Sequence, residues 1–231
     1  MQRKIKGTVA AVFAALVVAV FGFGSTAQAD DYTGTNGPDV IDTVDSVNTN
    51  DNVNARAGDD TVTTHNGSDN VFAGRGDDVV RTGLGDDGAQ DYDTLSGAIN
   101  GFYGDDRINT DGGDDVAVGW NGNDTLVGGR GEDYLVGGED ADGVLGGRGM
   151  DDIEGNFGRD DLIAGPGNDE LTPGPSRDYA NGGLNNDTFY LGNDGARDEI
   201  QCGDGDDTVQ YSGAVDTLDE LNDCEHVIGI V

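Results

Sequence analysis

The sequence is poor in several residue types, and each scarcity excludes a class of protein. With 2 histidines it contains no H-E-x-x-H zinc-protease motif, and no G-x-S-x-G nucleophile motif occurs. No stretch fits the D-x-[DN]-x-[DN]-G-x₅-E loop of EF-hand proteins. Basic residues number 12 against 46 acidic ones, a net charge of −34 that repels nucleic acid and anionic membranes. We therefore expect no enzyme and no nucleic-acid binder, but a protein whose partner is a cation.

The N-terminal segment, residues 1–29, has the features of a secretory signal peptide. Arg3, Lys4 and Lys6 precede an apolar stretch from Val9 to Phe23, and Ala27-Gln28-Ala29 matches the A-x-A cleavage pattern. This stretch is shorter than the roughly 18 residues that a spanning helix needs, so no membrane insertion is expected. A mature chain starting at Asp30 would be secreted, with nine arginines against all 46 acidic residues and a net charge of −37.

Aspartate recurs with a period of nine residues through most of the chain. From Asp106 to Asp187 every ninth residue is an aspartate, and an apolar or small residue follows two positions after each. Glycines precede it in a repeating unit G-G-x-G-x-D-x-U-x, which is clearest at residues 128–136 and 146–154. A fixed period of this kind is the signature of a solenoid rather than of a disordered acidic tail.

An earlier block keeps the same spacing but has fewer glycines. It runs from Asp42 through Asp51 to Asp87, with Val44 as its first predicted core residue and Ala89 as its last. The interval of 19 between Asp87 and the next repeat aspartate predicts an inserted loop over residues 88–102.

The repeating unit resembles the RTX, or haemolysin-type, calcium-binding nonapeptide repeat, in the form found in small exported actinobacterial proteins. The resemblance covers most of the mature sequence. It implies an all-β fold, a right-handed parallel β-roll (β-solenoid), with Ca²⁺ between stacked GGxGxD loops. It also implies several calcium ions as cofactors.

The spacing itself suits calcium. Nine residues divide into a loop of about six and a strand of about three, whose central apolar side chain alone would face inward. Two strands per coil of two repeats would then form two parallel sheets, with coils about 4.8 Å apart. Calcium takes six to eight oxygen ligands, so one loop supplies about half a shell, and the loop two repeats on must supply the rest.

One aspartate per loop is therefore expected to bind calcium. A metal-free Asx turn is the alternative for a single Asp-Gly loop, but carboxylates stacked about 5 Å apart repel each other without a cation between them. Acids just before the repeat aspartate, such as Asp77 and Asp105, should strengthen the local field rather than coordinate. The expected ligands are Asp60, Asp69, Asp78, Asp87, Asp106, Asp115, Asp124, Asp133, Asp142, Asp151, Asp160, Asp169, Asp187 and Asp207, with weaker sites at Asp178 and Asp198.

Cys202 and Cys224 are the 2 cysteines, and an even count in an exported chain predicts a disulfide between them. The apolar residues 227–231 would cover the end of the roll. The expected division is a signal peptide at 1–29, N-terminal degenerate repeats with an inserted loop at 30–101, a regular nonapeptide-repeat β-roll at 102–209, and a C-terminal cap tied by the disulfide at 210–231.

These features predict a secreted calcium-ion-binding repeat protein that folds on Ca²⁺ binding in the extracellular space. Its thin core and high charge predict a largely disordered chain without calcium. The alternative is a calcium-stiffened adhesion or cell-surface scaffold protein, with a cell-surface or matrix partner. An enzyme of the parallel β-helix kind is disfavoured because the repeat already accounts for the acidic residues.

Overall fold

The computed structural model describes residues 16–19, 31–43, 50–67, 69–84, 87 and 99–229. These residues form two parallel sheets of eleven strands each, and none of them is helical. Accordingly, this part of the chain has no helix that is long and apolar enough to cross a membrane.

The first sheet contains β1 (Leu16–Ala19), β3 (Asp39–Asp42), β5 (Thr61–Thr63), β7 (Val79–Arg81), β9 (Arg107–Asn109), β11 (Thr125–Arg130), β13 (Gly143–Arg148), β15 (Asp161–Pro166), β17 (Tyr179–Leu184), β19 (Glu199–Asp204) and β21 (Glu220–Asn222). The second contains β2 (Asp31–Thr33), β4 (Asn52–Ala57), β6 (Asn70–Arg75), β8 (Ile99–Tyr103), β10 (Val116–Asn121), β12 (Tyr134–Glu139), β14 (Asp152–Phe157), β16 (Glu170–Thr172), β18 (Thr188–Leu191), β20 (Thr208–Tyr211) and β22 (His226–Gly229).

Successive strands alternate between the two sheets, and each strand pairs with the strand two places along the chain. Val116 of β10 lies beside Tyr134 of β12, and Leu126 of β11 lies beside Val144 of β13. In both pairs the partners come from alternate repeats, so two repeats make one coil. The all-β fold and the parallel β-roll are thus confirmed.

Each repeat has two inward positions, not the single one predicted. In β11 both Leu126 and Gly128 are buried, while the residues between and beside them are not. The second inward position lies five residues before the aspartate in most repeats. It is glycine in the successive repeats from Gly119 to Gly155 and a larger residue in many others. The first inward position carries the predicted core residues, namely Val53, Val62, Val71, Val80, Ile108, Ala117, Leu126, Leu135, Val144, Ile153, Leu162, Leu171, Ala180, Phe189, Ile200 and Val209.

The start of the period differs from the prediction. Asp39 and Ile41, which are 2% and 3% exposed, take the first buried positions in place of Asp42 and Val44. The reason is a longer first coil, since Asp39 and Asp60 are 21 residues apart where later partners are 18 apart. Counting back in steps of nine from the later aspartates therefore reaches Asp42 instead of Asp39. Val44 lies outside the described residues.

The insertion after Asp87 lengthens one coil to 28 residues. Ile99 lies beside Ala117 in the second sheet, so it takes the strand position that was predicted for Ala89. The predicted loop over 88–102 is therefore wrong at residues 99–102, which belong to β8. The remainder of that loop, including Ala89, lies outside the described residues.

The two ends of the roll are both formed by paired strands. β1 lies within the predicted signal peptide and pairs with β3, so cleavage after Ala29 would remove it from the first sheet. At the other end β21 and β22 prolong the two sheets, and Val227 and Ile228 are about half-exposed. The described part of the apolar tail thus forms the last strand of a sheet and does not fold across the end.

Candidate metal centre

The repeat aspartates form two columns, one along each edge of the roll. Most of these aspartates directly precede a strand, so stacking the strands also stacks the carboxylates. Those from Asp39 to Asp207 are at most 3% exposed. The first column contains Asp39, Asp60, Asp78, Asp106, Asp124, Asp142, Asp160, Asp178, Asp198 and Asp219. The second contains Asp51, Asp69, Asp87, Asp115, Asp133, Asp151, Asp169, Asp187, Asp207 and Glu225.

Within each column the same hydrogen bond joins every pair of neighbours. The backbone N–H of Asp124 donates to Oδ1 of Asp142 at 2.8 Å, and the N–H of Asp142 donates to Oδ1 of Asp160 at 2.9 Å. The bond persists across the longest coil, where the N–H of Asp87 donates to Oδ1 of Asp115 at 2.6 Å. The predicted pairing of each loop with the loop two repeats on is therefore confirmed as a contact, and insertions do not interrupt it.

The second carboxylate oxygen, Oδ2, takes no part in this hydrogen bond. In many of these aspartates Oδ2 is buried and has no hydrogen-bond partner among the described residues. A buried carboxylate oxygen without a partner costs several kcal/mol, so it calls for a proton or a cation. The affected residues include Asp60, Asp78, Asp106, Asp115, Asp124, Asp133, Asp142, Asp151, Asp160, Asp169, Asp178, Asp187 and Asp207.

A cradle of oxygens surrounds this Oδ2 where the second inward position is glycine. A Cβ placed on Gly128 would lie 2.3 Å from Oδ2 of Asp133 and 2.8 Å from the carbonyl oxygen of Gly146 in the next coil. On the other edge, a Cβ on Gly119 would lie 2.3 Å from Oδ2 of Asp124. Oδ2 and a carbonyl oxygen of the next coil therefore converge beside the glycine Cα with no side-chain atom between them, and oxygens of this kind are the ligands that calcium prefers. Both oxygens lie this close at Gly119, Gly128, Gly146, Gly155 and Gly182, and at Gly137 Oδ2 of Asp142 lies at 2.4 Å.

The donor set around each cradle is oxygen only. Among the residues that the structure describes, no three His, Cys, Asp or Glu side chains come together as a metal-binding group. An ion in a cradle would thus take one carboxylate from a loop and most other ligands from backbone carbonyls. Hard oxygen donors of this kind suit calcium, whereas magnesium demands a tighter octahedron and gives up its water reluctantly.

The electrostatics of the columns also favour a bound cation. Burial raises the pKa of Asp115 and of Asp142 to about 8, and the neighbouring column carboxylates add to the effect. Burial likewise raises the pKa of Asp151 and of Asp187 to about 7. The N–H bond received from the previous coil opposes these shifts without cancelling them. A divalent cation would stabilise the charged form of the same carboxylates.

The acids before the repeat aspartates are exposed and form a separate set of hydrogen bonds. The N–H of Asn123 donates to Oδ1 of Asp105 at 2.8 Å, and the N–H of Glu132 donates to Oδ1 of Asp114 at 2.8 Å. The contact with Asn123 lowers the pKa of Asp105. These side chains therefore join neighbouring loops on the outside, away from the buried Oδ2 atoms.

All predicted ligand aspartates lie in the two columns, although their coordination of calcium stays a prediction. Four column members were not predicted as ligands: Asp39, Asp51, Asp219 and Glu225. Glu225 follows Asp207 by 18 residues, which is a readable signal, and its carboxylate receives the N–H of Asp207 at 3.0 Å. Asp219 follows its partner by 21 residues, a coil length that the nine-residue period does not predict.

The two cysteines form the predicted disulfide. Cys202 and Cys224 are bonded, with their Cα atoms 5.1 Å apart. Cys202 is fully buried at the second inward position of β19, and Cys224 directly precedes Glu225. The bond therefore fastens the last member of the second column to the core.

Comparison with known proteins agrees with this geometry. The family model described as the RTX calcium-binding nonapeptide repeat (4 copies) matches residues 46–80, 54–89, 100–135, 118–153 and 145–175, which together cover more than half of the chain. No curated protein matches the chain significantly. The matched segments include both columns from Asp51 to Asp169. The chain therefore belongs to the family of RTX calcium-binding nonapeptide repeat proteins.

Proposed function

We propose that this calcium-binding repeat protein is secreted and completes its fold on binding Ca²⁺ outside the cell. The observation that carries the proposal is the buried, unpaired Oδ2 beside an open glycine cradle. An ion there satisfies the carboxylate and neutralises part of the charge that opposes folding. Because metal bound only by the folded chain contributes its binding free energy to folding, calcium supplies stability that the thin core lacks.

The central coils are the strongest proposed sites. Asp124, Asp133, Asp142, Asp151 and Asp160 are five successive repeat aspartates, and each follows a glycine cradle, as does Asp187 further on. Asp178 and Asp198 are weaker candidates, because Pro173 and Leu191 stand at their second inward positions.

An extracellular role fits the chemistry of the chain. The disulfide is of the kind that persists in oxidising compartments. Carbonyl-rich loops with one carboxylate each should bind calcium in the range of about 10⁻⁴–10⁻³ M that is typical of extracellular modules. Binding should be cooperative, because each ordered coil prepares the next.

Isothermal titration of the mature protein with CaCl₂, and separately with MgCl₂, tests the proposal. Saturable uptake of several calcium ions is expected, with little heat from magnesium. Asp133→Asn should lower the number of bound ions, whereas the exposed neighbour Glu132→Gln should leave it unchanged. The proposal fails if calcium does not bind at millimolar concentration, or if the two variants behave alike.

A calcium-stiffened adhesion or cell-surface scaffold protein is the second candidate. An outward apolar strip favours it, because Val127, Leu145 and Ile163 lie side by side on three neighbouring strands of the first sheet. Leu145 is 41% and Ile163 is 38% exposed. A scaffold should retain a cell-surface partner in Ca²⁺ but not in EDTA, and Leu145→Asp should abolish retention while calcium still binds. Calcium-independent retention, or retention by the variant, would contradict this candidate.

A further inference from the structure

A column of buried threonines runs through the N-terminal coils. Thr43, Thr64, Thr82 and Thr110 occupy the second inward position in successive coils on one edge, and all are at most 1% exposed. Each hydroxyl donates to the carbonyl oxygen at the same position in the next coil. The distances are 2.9 Å from Thr43 to Thr64, 3.2 Å from Thr64 to Thr82, 3.4 Å from Thr82 to Thr110, and 2.8 Å from Thr110 to Gly128.

The threonines place a side chain where the later coils have glycine. In the following coil of the same edge, a Cβ on Gly128 would stand 2.3 Å from Oδ2 of Asp133 and 2.8 Å from the carbonyl oxygen of Gly146. Thr110 places a real Cβ and a hydroxyl in the corresponding space of its own coil. Its hydroxyl engages the carbonyl of Gly128, which is the type of oxygen that an ion would use. A calcium ion and the threonine hydroxyl therefore compete for the same carbonyl oxygen.

The opposite edge is filled in the same coils. Ala55 and Ala73 are fully buried at the second inward position of β4 and β6. A methyl group there stands where glycine would leave a cradle. From Ala55 to Thr82, then, four successive second inward positions carry a Cβ, whereas from Gly119 to Gly155 five successive ones do not.

We propose that the coils between Asp51 and Thr82 close without calcium, held by the threonine column, and that calcium binds only where the second inward position is glycine. The inference rests on the proposed function, and it withdraws from the predicted ligands those that follow a residue other than glycine at the second inward position, namely Asp60, Asp69, Asp78, Asp87, Asp115, Asp169 and Asp207, with the weaker candidates Asp178 and Asp198. On the threonine edge the hydroxyl proton bridges one coil to the carbonyl of the next. The closed coils then offer a preformed sheet edge on which the calcium-dependent coils stack.

Exchanging the residue at this one position tests the inference in both directions. Thr110→Gly should raise the number of calcium ions bound at saturation by one, while Thr110→Ser, which keeps the hydroxyl, should not change it. Gly128→Thr should lower the number by one. Circular dichroism in calcium confirms that each variant is folded. An unchanged count in both Thr110→Gly and Gly128→Thr would overturn the inference.

Hydrogen exchange in EDTA gives a readout that does not need calcium. Amides of residues 52–81 should stay protected while those of residues 125–155 exchange freely. Thr82→Val preserves the side-chain volume but removes the donor to the carbonyl of Thr110, so it should abolish protection in the first segment. If the two segments exchange equally in the unsubstituted protein, the threonine column does not hold the N-terminal coils closed without calcium. If the protein takes up no calcium, the proposed function is refuted instead. The exchange pattern in EDTA would still show whether the threonine column holds the N-terminal coils closed.

Discussion

The N-terminal and the central coils of the roll share one architecture but differ at one inward residue. Val62 and Leu126 are fully buried in equivalent core positions, and the aspartate columns run through both regions with hydrogen bonds of 2.6–3.0 Å. The second inward position is alanine or threonine from Ala55 to Thr82, and glycine from Gly119 to Gly155. The aspartate therefore defines the stack, while the residue five positions before it decides whether an ion has room.

This comparison explains why a conspicuous aspartate is a poor guide to metal binding on its own. From Asp60 and Asp69 onward, each column aspartate uses Oδ1 for the N–H of the previous coil, a structural role that needs no metal. An ion would have to bind through Oδ2, whose surroundings depend on a residue that the aspartate pattern does not include. A repeat can thus keep its aspartate for stacking after it has lost its cradle.

The largest expected contrast comes from removing one column aspartate in each region. Asp142→Ala should weaken calcium binding at the sites shared with Asp124 and Asp160 by about tenfold or more, because each ion needs two stacked loops. Asp78→Ala should leave the number of bound ions unchanged, since its coil has no glycine cradle. Calcium titration of both variants measures the difference.

A crystal structure of the Asp142→Ala variant with calcium would check the pairing itself. Ions beside Asp124 and Asp160 should be lost or weakened. If ions beside Asp133 and Asp151 respond instead, the assignment of alternate repeats to one edge is wrong.

Loss of the disulfide should have a smaller effect, confined to the end of the roll. Replacing Cys202 and Cys224 by serine removes a link between residues 22 apart, which is worth about 3 kcal/mol in the loop-entropy description. Urea unfolding in calcium should show this loss, while protection of residues 52–81 in EDTA stays the same. Mass spectrometry before and after reduction verifies the bond, and two thiols that alkylate without reductant would contradict it.

The pH dependence of the metal-free N-terminal coils should be smaller still. Burial raises the pKa of Asp60 to about 6 and of Asp78 to about 7, above the ordinary value of 3.8. The folded coils then bind more protons than the unfolded chain between about pH 4 and pH 7, so their stability falls as the pH rises through that window. Hydrogen exchange in EDTA should show more protection of residues 52–81 at pH 5 than at pH 8, once rates are corrected for intrinsic exchange. Equal or greater protection at pH 8 would show that these carboxylates are not buried as described.

Much of the architecture could be predicted from the sequence because the nine-residue period is regular between Asp106 and Asp187. The sheets, the pairing of alternate repeats and the core residues all follow from it. The errors fall where coil length changes. The period points to Asp42 instead of Asp39 because the first coil is three residues longer, and it cannot assign Ile99 to a strand because that coil has ten extra residues.

The cradle was the part of the site that the period could not predict. Gly128 and Thr110 look like ordinary loop variation in the sequence, and a three-residue strand offers only one inward side chain. The strands in the structure extend to six residues in many coils, so their fourth residue also faces inward and meets the aspartate that follows. That contact joins residues five apart through the turn, and it depends on loop geometry rather than on hydrophobic alternation.

Circular dichroism of the mature, disulfide-bonded protein tests most directly whether calcium completes the fold. In EDTA we expect a reduced β signal, contributed by the N-terminal coils, with the rest of the chain disordered. Titration with CaCl₂ should restore the full β signal over a narrow concentration range, and MgCl₂ should not. A β signal that is already complete in EDTA, or that responds equally to magnesium, would contradict the account.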